Sequence, residues 1–276
     1  MNFDKKIKHK LIKAVKEFDM FNRKHKILAT LSGGKDSLSL AVMLKELNFN
    51  IEALFIDLRF GDYSKHCQHK IQKLCDDYKI PLNILNVKNE IGITVSQGAE
   101  KYSDNVCSVC GAFKRKIFND FGMKNGFDVV VTGHHLDDEA VHLLADNLRW
   151  DWAYMKKGLP VKKAKKGFIK RAKPLCFIRE KEIEEYAKLK QIDYVKNSCP
   201  FEKEISRRKF EKILSVFEET FPNMVVRYYK NFLRNRDFLN EFKEENLDLK
   251  PCKICGDYTN NHTCKVCLIK NGQWKR

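Results

Sequence analysis

The sequence is short of acidic residues, of long apolar runs and of an N-terminal leader. Its 276 residues include 36 Asp+Glu against 53 Lys+Arg. No apolar run approaches the ~20 residues that a membrane-spanning helix requires. The opening residues, MNFDKKIKHKLIKAVKEF, lack the apolar region of a secretory signal peptide. These absences predict a cytoplasmic protein that has no membrane partner.

The shortage of acid leaves a formal net charge of +17 and a pI near 9.3. A charge of this size favours a polyanionic partner such as nucleic acid, although a generally lysine-rich composition would produce the same value. In a cytoplasmic chain, the ten cysteines are expected to be thiols, metal ligands or catalytic groups rather than disulfides.

Apolar periodicity predicts alternating strands and helices after an opening amphipathic helix. Strands are expected at 26–31, 51–58, 81–87 and 128–133. Helices are expected at 37–47, from the end of the second strand to about residue 77, at 110–124 and at 137–148. This alternation predicts an α/β fold with a doubly wound, mostly parallel sheet. In such sheets ligands bind beyond the carboxyl ends of the strands.

The second half of the chain is more basic and less regular. Residues 156–173 contain nine Lys/Arg and no Asp/Glu, which predicts a loop or a mobile insert. A short strand is expected at 193–196, and the tail from residue 251 is expected to be a separate module. Candidate RNA contacts are this insert and a later helix with Arg227, Lys230, Arg234 and Arg236. The aromatic residues of that helix (Tyr228, Tyr229 and Phe232) are predicted to be core residues.

The stretch SGGKDS, residues 32–37, lies where the first strand ends and a helix begins. A helix N-terminus offers unpaired N–H groups and partial positive charge to an anion, and glycines let the backbone approach closely. Asp36 fits there if Mg²⁺, or a nucleotide hydroxyl or amine, offsets its charge. The pattern differs from Walker A and is interpreted as a phosphate-binding loop rather than an ordinary turn.

Two groups of cysteines have the spacing of metal ligands. The tail contains CKIC at 252–255 and CKVC at 264–267, a pattern that predicts a closed, structural zinc ribbon. Its four ligands would be Cys252, Cys255, Cys264 and Cys267. Cys107 and Cys110 form another CxxC at a helix start, where thiolates are favoured. On spacing alone this pair fits a redox couple, half of a metal site or chance.

Three other cysteines lack a partner at metal spacing. Cys67 lies in HCQH between His66 and His69, which is more typical of an exposed polar helix face than of a metal site. Cys75 and Cys176 are predicted to be small core residues.

Several motifs in order resemble the PP-loop ATP pyrophosphatase superfamily. SGGKDS matches its signature residue for residue. Further segments resemble TtuA/TtcA-type tRNA 2-thiolation enzymes, with the TtuA-like branch nearer: FGDYS (60–64), CSVCGAFKR (107–115), TGHHLDDEA (132–140), KPLCFIREKEI (173–183) and DYVKNSCP (193–200). The resemblance covers most of residues 26–200 and returns at the tail. Many TtuA-like members also have an N-terminal zinc ribbon, whereas here no cysteine precedes Cys67.

The resemblance implies a role for each matching residue. The ATP site would consist of Ser32, Gly33, Gly34, Lys35, Asp36, Ser37, Asp57 and Gly133, together with Mg²⁺. Lys114 would meet the phosphates, and Asp137 or Asp138, one of which can also cap its helix, would act on the activated base or on Mg²⁺. A three-thiolate [4Fe–4S] site with one open iron would consist of Cys107, Cys110 and Cys199. Persulfide and disulfide chemistry at these thiols, without a cluster, is the alternative.

The resemblance predicts an ATP-dependent tRNA sulfurtransferase. ATP would adenylate the C2 oxygen of a tRNA base, uridine before cytidine, and sulfur would then displace AMP. The expected partners are tRNA, a sulfur donor (a ubiquitin-like carrier or free sulfide) and a second copy of the chain in a homodimer. Two other classes stay open: a PP-loop enzyme that adenylates a non-tRNA small molecule, and a non-catalytic zinc-ribbon RNA-binding protein.

The same patterns predict four parts of the chain. An N-terminal helix is expected in 1–25, a PP-loop ATP-binding catalytic domain in 26–200, a helical extension in 201–250 and a C-terminal zinc ribbon in 251–276.

Overall fold

A twisted α/β sheet, a helical extension and a small C-terminal ribbon make up the described part of the chain. The computed structural model describes residues 2–102, 106–196, 199–201, 206–240 and 249–273. Its strands are β1 (Ile27–Leu31), β2 (Ile51–Asp57), β3 (Leu82–Asn86), β4 (Val129–Val131), β5 (Val161–Lys162), β6 (Lys170–Ala172), β7 (Lys250–Pro251) and β8 (Tyr258–Thr259).

Helices surround the sheet and form the extension. They are α1 (Phe3–Glu17), α2 (Lys35–Glu46), α3 (Asp62–Asp77), α4 (Val87–Ile91), α5 (Val95–Tyr102), α6 (Val106–Lys124), α7 (Leu136–Leu148), α8 (Trp152–Lys157), α9 (Glu180–Leu189), α10 (Ser206–Thr220), α11 (Met224–Arg234) and α12 (Lys265–Lys270). A 3-10 turn at Arg236–Asn240 follows α11. Among the described residues, no helix combines the length and apolar character needed to cross a membrane.

The main sheet has the strand order β3-β2-β1-β4-β6-β5. All its neighbours pair in parallel except β5, which runs antiparallel to β6 at one edge. The expected doubly wound, mostly parallel sheet is therefore confirmed. The chain builds outward from β1 first toward β3 and then, through β4, toward the other edge. This reversal opens a crevice beyond the carboxyl ends of β1 and β4.

Each face of the sheet packs against its own apolar cluster, because successive strand residues point to opposite faces. Within β1, Ile27 and Ala29 join one cluster, with Leu38 of α2. Leu28 joins the other cluster, with Phe113 of α6. All five side chains are at most 1% exposed. The predicted core cysteines Cys75 and Cys176 and the predicted core residue Tyr229 are also buried in the first cluster.

The basic stretch 156–173 differs from its expected form as a loop. It forms β5 and β6, and β6 pairs with β4 inside the main sheet. The apolar residues that fix it are few: Ile169 and Ala172 are buried, whereas the charged residues between them dominate the sequence pattern. The expected strand at 193–196 is also absent. That segment makes instead a backbone bond of 2.9 Å from Val195 N to Gly33 O.

The C-terminal tail packs on the main body. Ile269 of α12 is buried in the same apolar cluster as Val95 and Phe113. Lys116 of α6 forms an ion pair with Asp257 of the tail. The ribbon thereby lies against α5 and α6.

Candidate functional site

The SGGKDS loop joins β1 to α2 at the crevice, and Gly33 determines its shape. Gly33 has φ +85°, a backbone region that residues with a Cβ rarely adopt. A Cβ at this position would lie 2.9 Å from the Cβ of Cys67 and 3.0 Å from its Sγ. Cys67 is therefore buried beneath the loop rather than placed on an exposed helix face, while His66 and His69 are exposed.

Hydroxyl groups hold the loop in a fixed form around the start of α2. Ser37 Oγ accepts a bond of 3.1 Å from Ser32 N and donates one of 3.1 Å to Gly34 O. Gly34 is the N-cap and no side chain caps the helix. The first-turn N–H groups of α2 are thus left without a side-chain cap and could bind an anion.

Lys35 and Asp36, at the start of α2, have contrasting surroundings. Lys35 Nζ lies 2.6 Å from Glu180 at the start of α9. Burial opposes the charge on Lys35, but Glu180 and Asp36 outweigh it and raise the pKa of Lys35. Burial raises the pKa of Asp36, as does Asp138, while His135 and Lys35 lower it. Asp36 Oδ1 is buried and accepts no well-formed hydrogen bond from a described residue, although Lys35 Nζ lies 3.3 Å away.

The two carboxylates of the LDDE segment have different partners. Asp138 and His135 form a capping box at the start of α7, in which Asp138 Oδ2 accepts a 3.1 Å bond from His135 N. His135 Nε2 lies 3.5 Å from Asp138 and 4.0 Å from Asp36. Asp137 accepts bonds of 2.7 Å from Arg179 Nε and from Glu180 N. The imidazole thus stands between the buried carboxylate of Asp138 and the partly buried one of Asp36, and Asp137 joins α7 to α9.

Gly133 and Asp57 lie at the ends of the strands that flank the loop. A Cβ on Gly133 would come within 2.8 Å of Ser37 N, so only glycine allows β4 to end against the first turn of α2. Asp57, the last residue of β2, accepts a 2.8 Å bond from Arg59 N and a 3.4 Å bond from Asn86 Nδ2.

The three cysteines that the resemblance groups together lie on two segments of the crevice wall. Burial raises the pKa of Cys110, and the nearby thiols of Cys199 and Cys107 raise this pKa further. Lys114 donates a hydrogen bond to the sulfur of Cys110 and lowers its pKa. Burial also raises the pKa of Cys67, which is in turn close enough to Cys199 to interact with it electrostatically. Cys199 is therefore near both Cys67, beneath the SGGKDS loop, and Cys110 of the CxxC. Residues 197–198 of the DYVKNSCP segment lie outside the described residues.

A comparison with protein families identifies the fold around this crevice. A family profile described as PP-loop domain matches residues 3–215. The chain belongs to the PP-loop family. The PP-loop of this chain is thus the SGGKDS segment, with the start of α2 behind it.

Two named proteins and one solved structure are similar over nearly the whole PP-loop chain. The tRNA-5-methyluridine(54) 2-sulfurtransferase of Thermotoga maritima is 35% identical over 100% of this chain and 90% of its own length. The protein of the same name from Pyrococcus horikoshii is 33% identical over 96% and 85%. The structure of the U34-tRNA thiolase NcsA from Methanococcus maripaludis with its [4Fe-4S] cluster superposes with a TM-score of 0.81, at 29% identity, over 98% of this chain and 87% of that chain.

The four cysteines of the C-terminal tail lie close together in the fold. In the described part of the chain, one group of side chains could hold a metal ion. It consists of Cys252, Cys255, Cys264 and Cys267, whose sulfurs all lie within 4.8 Å of one another. Burial disfavours a thiolate at Cys252, but N–H groups that include those of Cys264 and Ile254 outweigh it and lower the pKa of Cys252 to about 6. Four soft donors at this distance can bind one metal ion.

The sequence motifs assigned no individual role to three residues that lie at the crevice: His135, Arg179 and Glu180. His135 was noted only within TGHHLDDEA, although it is 3% exposed and lies between carboxylates. Arg179 and Glu180 were noted only within KPLCFIREKEI. The signal available in the sequence was the charge of these two residues within that matching segment.

Proposed function

We propose that the chain is an ATP-dependent tRNA 2-thiolation enzyme that activates the C2 oxygen of a uridine. The observation that carries this proposal is that Cys199 lies near enough to interact electrostatically with both Cys67, beneath the SGGKDS loop, and Cys110 of the CxxC. A nucleotide site and a cluster of thiols at one crevice fit a reaction that needs both activation by ATP and delivery of sulfur. The similar proteins named for uridines 54 and 34 of tRNA support uridine as the base.

We assign ATP to the crevice beyond β1 and β4. The uncapped start of α2 and the glycine-rich loop would hold its phosphates. Lys35 would exchange Glu180 for a phosphate, and Lys114 would reach the phosphates from the α6 side. The adenine and ribose would lie toward Asp57, at the end of β2. Gly133 would act by letting β4 approach α2.

A divalent cation fits the carboxylates at the start of α2 and α7. Asp36 has a buried oxygen without a well-formed hydrogen bond, and its pKa is raised by burial and by the neighbouring Asp138. A Mg²⁺ ion held by these two carboxylates would remove their repulsion and bind phosphate oxygens. Asp137, on the same turn, would act on the substrate base. Charge neutralisation and positioning are the protein's share of the adenylation step.

The sulfur site would consist of Cys107, Cys110 and Cys199. Their chemistry fits a [4Fe–4S] cluster, because three soft thiol donors leave one position without a protein ligand. When bound, the cluster would supply an iron that is open to a sulfur species. The three side chains would hold the group, and Lys114 donates a hydrogen bond to Cys110.

The remaining assignments concern the tail, the partners and the compartment. We propose that the tail cysteines bind Zn²⁺ and that the chain consists of four parts packed on one another: 1–25, 26–200, 201–250 and 251–276. We further propose tRNA as the substrate, a ubiquitin-like sulfur carrier or free sulfide as the donor, a homodimer as the assembly and the cytoplasm as the location.

Mass spectrometry of tRNA nucleosides tests this function. In a strain that lacks the gene, one 2-thiouridine derivative should disappear and return with the wild type or Cys75→Ala, but not with Cys199→Ala. With purified protein, Lys35→Ala should lose tRNA-dependent release of pyrophosphate, whereas Cys199→Ala should retain it.

The alternatives give different results in the same experiment. A lost 2-thiocytidine would change the base. An unchanged nucleoside profile, with pyrophosphate released from another substrate, would replace tRNA by a small molecule. Binding of RNA without any pyrophosphate release would make the chain a non-catalytic RNA-binding protein.

A further inference from the structure

Three cationic side chains converge on the face of the β5–β6 hairpin that is turned toward α6. Lys162 and Arg171 are directly opposite each other in the antiparallel register. The guanidinium of Arg171 lies over the Phe118 ring of α6, 5.9 Å from its centroid. Arg115, one turn earlier on α6, interacts electrostatically with both hairpin residues. Like charges that face each other across two strands are destabilising.

No carboxylate balances these three cations within the part of the chain that the structure describes. Glu139 of α7, which acts electrostatically on Lys162, is 2% exposed and forms its ion pair with Lys173. Burial lowers the pKa of Lys162. Repulsion from Arg171, Lys173 and Arg115 lowers it further, and attraction to Glu139 opposes this only in part, so that the pKa of Lys162 is about 7. Burial and Arg115 together also lower the pKa of Arg171.

The cationic cluster, defined as Arg115, Lys162 and Arg171, lies beside the sulfur site and is reachable from solvent. A Cβ added to Gly111, the residue after Cys110, would lie 3.0 Å from Arg115 Nη1, so this side chain folds back toward the thiol. Arg115 also interacts electrostatically with Cys110. Its exposure allows a large ligand to reach the cluster without entering the protein core.

We propose that Arg115, Lys162 and Arg171 form a phosphate site that binds the RNA backbone next to the base held at the cysteines. This inference rests on the proposed function and deepens it. Two arginine forks and an ammonium group suit the oxygens of a phosphodiester, which would supply the negative charge that the described residues lack. A phosphate of ATP has the same chemistry, and the experiment must therefore separate the two sources.

The test is Lys162→Met, with Lys73→Met on the outer face of α3 as the control that removes the same charge. We expect Lys162→Met to weaken tRNA binding about 5–20-fold at 0.1 M salt and to reduce the slope of log K against log salt by about 1. The ATP affinity should stay within about twofold. The free variant should also melt about 2–4 °C higher, because one partner of the repulsion is gone. Lys73→Met should change neither binding nor melting.

Each other outcome has a distinct meaning. Equal tRNA affinity and slope for Lys162→Met and wild type would overturn the phosphate site, even if the wild type thiolates tRNA. Weaker ATP binding with unchanged tRNA binding would assign the cluster to the nucleotide instead. A lower melting temperature with weaker binding of both ligands would make Lys162 structural. A wild type that neither binds nor thiolates tRNA would refute the proposed function itself, independently of the variant.

Discussion

At the scale of single residues, the phosphate loop depends on a position where no side chain fits. A Cβ at Gly33 would be unfavourable for two reasons. The φ of +85° strains any residue with a side chain, and the Cys67 side chain already fills the space beneath the loop. Gly126 has φ +67° but no atom within 4 Å of an added Cβ. The two glycines therefore separate the cost of backbone strain from the cost of a steric clash.

We expect Gly126→Ala to lower the free energy of unfolding by about 1–2 kcal/mol and Gly33→Ala by about 3 kcal/mol. Gly33→Ala should also lose ATP binding, because the loop must move away from Cys67, whereas Gly126→Ala should keep it. Urea denaturation and ATP titration measure both effects. Equal destabilisation by the two variants would mean that the loop accommodates the methyl group and that Cys67 gives way.

Asp36 gives the second residue-scale prediction, a gain of stability with a loss of activity. Because burial raises the pKa of Asp36 above its ordinary 3.8, the folded protein binds this proton more tightly than the unfolded chain. Its ionisation therefore costs stability as the pH rises from 3.8 through the folded pKa. Asp36→Asn should raise the free energy of unfolding by about 1 kcal/mol at pH 7, with no gain below pH 3.8.

The same variant should release pyrophosphate at least about 100-fold more slowly. Denaturation at several pH values and a pyrophosphate assay check the two halves. A destabilised but active Asp36→Asn would show that the carboxylate serves the fold rather than the reaction.

At the scale of elements, an ion-pair network joins α1, α2 and α9. Glu46 of α2 lies 2.6 Å from Lys8 and 2.7 Å from Lys190, and it accepts a 2.9 Å bond from the Tyr186 hydroxyl. Burial raises the pKa of Glu46, but these three partners outweigh it and hold the pKa below 4.5. The stabilisation is therefore fully present above pH 4.5 and is lost as the pH falls through the folded pKa.

We expect Glu46→Gln to lower the free energy of unfolding by about 1–2 kcal/mol at pH 7 and by much less near pH 3. Glu184→Gln is the matched control, since Glu184 pairs with Lys188 within α9 at a side-chain exposure of 46%. That change should leave the free energy of unfolding nearly unchanged, because exposed ion pairs contribute little. A pH-independent loss in Glu46→Gln would indicate altered packing instead of lost charge.

The ribbon gives the second element-scale prediction, because it contacts the helix of the CxxC. Lys265 Nζ of α12 lies 2.9 Å from the Oγ of Ser108, which stands between Cys107 and Cys110. Cys255→Ser should abolish the binding of about one Zn²⁺ per chain and raise amide exchange in α5, α6 and α12. Lys253→Ala, within the same ribbon, should do neither. Unchanged exchange in α6 would show that the ribbon does not support the CxxC.

The elements also show how far local sequence determines this fold. β1 and the SGGKDS loop were predictable, because an apolar strand and a glycine-rich turn are local patterns. β6 was not, since its few buried residues lie among charges and its position depends on pairing with β4. The contact between Lys35 and Glu180 spans 145 residues, and the repulsion between Lys162 and Arg171 exists only in one strand register. The candidate ligands were thus identified, but their mutual arrangement was not.

At the scale of the whole molecule, the excess positive charge is not confined to the cationic cluster. Burial lowers the pKa of Lys230 on α11, and the repulsion of neighbours that include Lys13 of α1 and Arg234 of α11 lowers it further. The face formed by Lys13, Lys230 and Arg234 is therefore a second basic region, on helices that pack on the other side of the sheet. An RNA much larger than the crevice can contact both regions, and each phosphate contact releases counterions.

We expect the tRNA affinity of the wild type to fall by about 10²–10³-fold between 50 and 200 mM salt, as for roughly five phosphate contacts. Lys13→Ala/Arg234→Ala should reduce the slope of log K against log salt by about 1–2, because two cations of the second region are lost. Lys73→Ala/Lys124→Ala, which removes the same charge elsewhere, should leave it unchanged. If both double variants reduced the slope equally, the tRNA would respond to net charge alone, and the α1–α11 face would have no specific place in binding.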